Sequence, residues 1–128
     1  MNDDARIWLK YAMENRAVAE LCLENGHWNA CLQNAQQSAE KALKSMVLHS
    51  GMHLVKTHSI MELKNLLLKG GFDTDLKDED CDLLDAIYLP SKYPLGSVLP
   101  DFEPDISMAK KCVDLTDRVL ISANKLLK

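Results

Sequence analysis

Residues 34–44, NAQQSAEKALK, decide how this chain is read. Alanines fall at Ala35, Ala39 and Ala42, four and then three residues apart, which is the repeat of one helical face. Between them stand Gln36, Gln37, Glu40, Lys41 and Lys44. The alanines continue a row from Trp28 and Cys31/Leu32 through to Leu43 and Met46, and their small size lets a neighbouring helix approach closely. Gln33, Gln37, Glu40/Lys41 and Lys44 make a second row, three and four residues apart. Periodicity alone therefore predicts a helix over 28–49 with a packed alanine face and a solvated polar back.

Working outward, the same repeat recurs. Asn2, Asp3 and Asp4 suit a helix start, where free N–H groups and the helix dipole favour acceptors and negative charge. Ala5, Trp8, Leu9, Ala12, Ala19, Leu21 and Leu23 follow at helical spacing, which predicts a helix over 4–24 stopped by Glu24-Asn25-Gly26. Ser59-x-x-Glu62 fits a capping box and opens a helix over 59–69, ended by Gly70 and Gly71. A shorter helix is expected over 78–88 with Leu83, Leu84 and Ile87 buried. The next segment, LPSKYPLGSVLPDFEP, carries all four prolines and is expected to be irregular. Pro104 and Asp105 then start a last helix, with Ile106, Ala109, Cys112/Val113, Thr116, Val119/Leu120, Ala123 and Leu127 on one face.

No strand-like alternation persists and no repeat period appears. The expected fold is all-α, an up-and-down antiparallel bundle of about five helices, three long and two short, in one domain over 1–128. Aromatic residues make up only 5% of the chain, so leucine, alanine, methionine and valine must supply the packing. A net charge of −4 argues against avid, non-specific nucleic-acid binding. No stretch approaches the ~20 apolar residues that cross a bilayer. MNDDARIWLK lacks a basic segment followed by an apolar run, so no signal peptide is expected and the reading is cytoplasmic, with no membrane partner. The four cysteines lack metal-type spacing and read as reduced thiols at semi-buried helical positions.

Four motifs carry a resemblance. WLKYA (8–12), CLQNAQQSAEKALKSMVLHSG (31–51), KTHSIMEL (56–63) and YLPSKYP (88–94) together resemble the HEPN (higher eukaryotes and prokaryotes nucleotide-binding) domain family, in order and spacing, over essentially the whole chain. The family's helix pattern is roughly Gln-Ala-x-Glu-Lys-x-Leu-Lys. Gln37, Glu40, Lys41, Leu43 and Lys44 match it, with Ser38 where alanine is common. Thr57 and His58 match a threonine-histidine pattern, with Ser59 in place of the usual aspartate and Ile60 in place of leucine. Tyr88, Lys92, Tyr93 and Pro94 match a further pattern, with lysine where arginine is common. The resemblance implies a helical bundle, often a homodimer and often encoded beside a minimal nucleotidyltransferase. It also implies nucleotide binding and, in some branches, RNA cleavage. The residues it marks for nucleotide or partner binding are Gln37, Glu40, Lys41, Lys44, His58, Lys92 and Tyr93.

The chemistry these residues permit is narrower. Ribonuclease branches of the family pair an arginine with a histidine four to six residues later, supplying a cation and a general acid/base for the developing phosphorane charge. Arg6, Arg16 and Arg118 have no histidine at that distance. Lys44 and His49 imitate the spacing, but lysine lacks the bidentate fork that suits arginine to phosphate. Gly96-Ser97 with Asp101-Phe102-Glu103 imitates a nucleotidyltransferase site, yet three intervening residues cannot form its strand-turn-helix unit. His49 and His53 would share a helix face, but Gly51 is expected to break the helix between them, and no metal site is expected. His27 reads as a turn residue, and residues 73–82, DTDLKDEDCD, as a solvated acidic face.

His58 carries two readings. It is either a structural turn residue or part of a pocket, with the free N–H groups of the third helix start receiving an anion. Lys92 and Tyr93 likewise either buttress the bundle or present a cation and a stacking ring. The favoured function is a non-catalytic partner of a minimal nucleotidyltransferase, in a toxin–antitoxin-like pair, with nucleotide the one candidate cofactor and RNA a less favoured ligand. The alternatives are a divergent metal-independent ribonuclease, with Lys44 or Lys92 as cation and His49 or His58 as base, and a purely structural homodimer held by the alanine face of the second helix.

Overall fold

The computed structural model describes residues 3–54, 56–92 and 103–128. Five helices account for almost all of them: α1 (Asp3–Glu24), α2 (Trp28–His49), α3 (Ile60–Lys69), α4 (Asp78–Lys92) and α5 (Ile106–Leu127). No strand occurs among the described residues. The turn between α1 and α2 is only three residues long. Gly26 adopts φ 77°, where other residues are strained, and the His27 N–H donates to the Cys22 carbonyl at 2.9 Å to close the α1 end. A connection so short makes α1 and α2 antiparallel neighbours.

α2 is the central element, packing against each of the other four helices. Ala35, Ala39 and Ala42 are fully buried. Close approach around them is fixed by two side-chain hydroxyls that donate to main-chain carbonyls of another helix. Ser38 Oγ donates to Ala12 O in α1 at 2.6 Å, and Thr116 Oγ1 in α5 donates to Ala35 O at 2.7 Å. Arg16 joins α1 to α5 through Asp117 at 2.7 Å. The alanine face is therefore filled from within the chain by α1 and α5, and it offers nothing to a second copy. The alternative of a homodimer held by that face finds all three alanines already covered by the chain itself.

Helix starts follow the local chemistry. Asp105 accepts from the Met108 N–H at 2.8 Å, and Ser59 Oγ accepts from the Glu62 N–H at 3.2 Å. The reciprocal half of the capping box is relayed: Thr57 Oγ1 accepts from the Ser59 N–H at 3.0 Å and donates to Glu62 Oε2 at 2.7 Å. α4 departs from expectation by continuing past Tyr88 to Lys92. Pro90 has no N–H for the Ala86 carbonyl, but its fixed φ is itself helical and the lost bond falls in the last turn. Residues 93–102, with the Gly96-Ser97 and Asp101-Phe102 positions, lie outside the described residues.

Two apolar residues expected in the core are instead exposed. Leu21 and Ile106 face outward, since Leu21 lies about opposite Ala5, Leu9, Ala12 and Ala19 on the α1 wheel. The cysteines behave as core thiols. All four are free, and Cys31, Cys81 and Cys112 are buried. Burial pushes the Cys81 thiol up to about 11 and the Cys112 thiol up to about 12. A thiol raised on folding favours the native state fully below its unfolded range, and that contribution is lost as pH rises. Alkaline unfolding should accordingly begin above about pH 9 and deepen towards pH 11–12. In native protein at pH 8, iodoacetamide should modify half-buried Cys22 well before the other three, a difference that mass spectrometry resolves and urea should abolish.

Candidate functional site

The second row of α2 is not a solvated back. Gln36, Glu40 and Lys44 stand four residues apart on one side of the helix, and all three are buried. Gln37 and Lys41, one position further round, are half-buried. α3, α4 and the connection before α3 close over that side, which a single helix's periodicity does not encode. Charges taken out of water in this way must find partners.

Glu40 is the hub. With a side chain only 4% exposed, its Oε2 accepts from Lys44 Nζ at 2.9 Å and lies 3.2 Å from His58 Nδ1. Its Oε1 accepts from Gln36 Nε2 at 3.3 Å, and Gln36 Oε1 accepts in turn from Gln37 Nε2 at 2.7 Å. The Lys44 ammonium also lies 5.3 Å from the Trp8 ring centroid, a cation–π distance that links α2 to α1. His58 stacks on Tyr88 of α4, with ring centroids 4.6 Å apart and planes inclined by 13°. The imidazole is 57% exposed although its anchor is buried. One flat aromatic surface is thus held at the protein's edge by a buried ion pair beneath it.

The neighbouring helix start is already occupied. Asp85 of α4 accepts from the Ile60 N–H at 2.6 Å, the Met61 N–H at 3.3 Å and Ser59 Oγ at 3.0 Å. The N–H groups that the sequence offered to an anion are satisfied by a carboxylate from within the chain. Of the two readings open for the α3 start, the anion seat thus has its N–H groups already engaged by Asp85.

Lys41 belongs to a different seam. Its Nζ donates to Asn15 Oδ1 at 2.7 Å, and Asn15 Nδ2 donates to Asn34 Oδ1 at 3.1 Å, along the α1–α2 groove. The structure thus brings Gln37, Glu40, Lys44 and His58 into one network and sets Lys41 beside it. Lys92 is the last residue of α4; its side chain and all of Tyr93 lie outside the described residues. His49 Nδ1 is buried without a hydrogen-bond partner, while Lys44 is committed to Glu40, so Lys44 and His49 form no open catalytic pair. Among the described residues no group of three or more His, Cys, Asp or Glu side chains is placed to hold a metal ion. No described helix is long and apolar enough to cross a membrane.

Sequence reasoning missed Gln36, Trp8 and Asp85 as members of this region. Gln36 was legible, because 36, 40 and 44 form an unbroken i, i+4 ladder. Asp85 left no local signal, since it caps a helix start about 25 residues earlier in the chain.

Comparison with known proteins agrees with this architecture. The family model described as HEPN domain matches residues 5–126. The crystal structure of TT1696 from Thermus thermophilus superposes with a TM-score of 0.76 and 29% identity, covering 98% of this chain and 99% of that one. The crystal structure of ST0689, an archaeal HEPN homologue, shares the fold with a TM-score of 0.65 and 21% identity, each chain being covered in full at 100%. No curated protein gives a significant match.

Proposed function

This chain belongs to the HEPN domain family, and from that premise we propose that it is a non-catalytic nucleotide-binding and docking protein, acting beside a minimal nucleotidyltransferase. The observation that carries the reading is the His58–Tyr88 stack, which is exposed at the surface yet anchored from below by the buried Glu40–Lys44 pair. An aromatic surface held in place before binding can receive a planar base without first ordering its own side chains. Gln37, half-buried one step round α2, joins the same network through its amide, which donates to Gln36.

The same geometry speaks against catalysis by this network. Lys44 already neutralises Glu40, and Asp85 adds a further negative charge at the α3 start, so among the described residues this network holds no uncommitted lysine for a developing phosphorane. Titrating isotope-labelled protein with AMP and ATP tests the binding. Amide shifts centred on His58, Gln37 and Tyr88 at millimolar nucleotide are expected, and His58→Ala should remove them. An unchanged spectrum at that concentration would overturn nucleotide binding. Co-purification with the product of an adjacent nucleotidyltransferase gene tests the partnership independently.

One observation favours the ribonuclease reading. A buried carboxylate on Nδ1 orients His58, and an imidazole so held can serve as a general base, a contribution of ~10²–10⁴-fold. Metal-independent RNA cleavage abolished by His58→Ala but kept in His49→Ala would establish that reading in place of the first.

A further inference from the structure

The last turns of α2 and α5 and the connection that follows α3 meet around a cleft of about 420 Å³. It shares no lining residue with the His58–Tyr88 surface. Met46 of α2, Phe72 of the connection and Leu126 of α5 give it an apolar lining. The elements around it carry opposite charge. The connection contributes Asp73 and Asp75, while α5 contributes Lys125 and, one turn earlier, the Ser122 hydroxyl.

The acidic side is set before any ligand arrives. Thr74 and Leu76 are buried, which turns Asp73 and Asp75 outward together. Asp73 Oδ1 accepts from the Asp75 N–H at 2.9 Å, in a turn where Asp75 takes φ 61°. Aspartate tolerates that left-handed conformation better than most residues. Three helix ends add to the negative potential here, since α2 stops at His49, α3 at Lys69 and α5 at Leu127. Among the described residues, no ion pair joins Lys125 to Asp73 or Asp75, and the Asp75 carboxylate has no partner.

Opposite charges that share a cleft without touching suit a ligand that bridges them. A phosphate would meet two carboxylates, and no described group of His, Cys, Asp or Glu is placed to hold a metal ion. A small zwitterion with a hydrocarbon body uses every part of the lining. Its ammonium is attracted to Asp73 and Asp75, its carboxylate to Lys125 and Ser122, and its body is removed from water against Met46, Phe72 and Leu126. We propose that this cleft binds a free α-amino acid with an apolar side chain, held by Asp73 and Asp75 at one end and Lys125 at the other. The site is independent of nucleotide binding at His58. Its charges are exposed and screened by salt, so a dissociation constant on the order of a millimolar is expected.

NMR titration of the isotope-labelled full chain tests the proposal with three matched probes: L-leucine, isoamylamine, which lacks its carboxylate, and isocaproate, which lacks its ammonium. Leucine should shift the amides of Phe72, Asp75, Ser122 and Leu126, and each truncated probe should bind about tenfold or more weakly. Lys125→Gln should reduce leucine to the affinity of isoamylamine while leaving isoamylamine itself unchanged. Asp73→Asn combined with Asp75→Asn keeps the turn acceptor and a residue suited to φ 61°, and should reduce leucine to the affinity of isocaproate. Circular dichroism confirms that both variants fold. No shift at those four amides with tens of millimolar leucine overturns the proposal. So does isoamylamine binding as tightly as leucine, which would make the cleft a cation seat alone, or a leucine affinity that neither variant changes.

Discussion

Replacing Glu40 with alanine should destabilise the protein by about 3–5 kcal/mol, the range for breaking one half of a buried ion pair. Lys44 would stay buried under Trp8 with its ammonium uncompensated, and the Gln36 amide and His58 would each lose their acceptor. In a chain of this size such a loss corresponds to a fall in Tm of roughly 10–15 °C. Urea unfolding followed by circular dichroism measures it. The informative control removes both charges: Glu40→Leu with Lys44→Met should lie within about 1–2 kcal/mol of wild type, because paired apolar replacements avoid the cost of desolvating either ion. Stability restored by the double change, together with nucleotide shifts still missing at His58, would separate the two roles of Glu40. It holds α2 against the α3–α4 side, and it positions the imidazole. A double variant as unstable as Glu40→Ala would mean that packing, not charge pairing, dominates this part of the interior.

The legible and illegible parts of this fold differ in the range of the interactions that set them. Ala35, Ala39 and Ala42 could be assigned to the core because the deciding information, small residues at i, i+4 and i+7, lies within one helix. The fate of Glu40 and Lys44 depends on whether α3 and α4 cover that side, and nothing within 34–44 specifies this. α1 misled for a different reason. It is apolar on two sides, so Leu21 fits a core row by spacing while the wheel puts it opposite Ala12 and Ala19. A helix with two apolar faces packs only one of them within its own chain, and the sequence does not say which. The Ser59 cap was readable from its own neighbourhood, whereas the Asp85 cap on the same helix came from another element. Pro90 shows the limit of a rule stated without position: proline breaks a helix interior, but a final turn tolerates it. Of the residues marked by the family resemblance, Gln37, Glu40, Lys44 and His58 share one network, but what that network binds is a matter for titration.

Asp85→Ala should lower stability by about 2–3 kcal/mol, more than an ordinary N-cap loss of about 1 kcal/mol. The excess follows from the geometry. One carboxylate receives two main-chain N–H groups and the Ser59 hydroxyl at the α3 start, and it does so from α4, so its removal frees a helix terminus and a helix–helix tie together. Asp85→Asn keeps an acceptor but not the charge that complements the helix dipole, and should cost about half as much. The variant also carries a functional consequence. With Asp85 gone, the Ile60 and Met61 N–H groups become an open anion seat of the kind that helix starts offer to phosphate. Inorganic phosphate should then raise the Tm of Asp85→Ala by several degrees beyond the effect of chloride at equal ionic strength, while wild type shows no such difference. Wild type stabilised by phosphate to the same extent would point to a second anion seat outside the α3 start. The nucleotide would then be held by its phosphates as well as by its base. If only the variant responds, Asp85 is what keeps phosphate out, and recognition at His58 and Tyr88 has to rest on the ring.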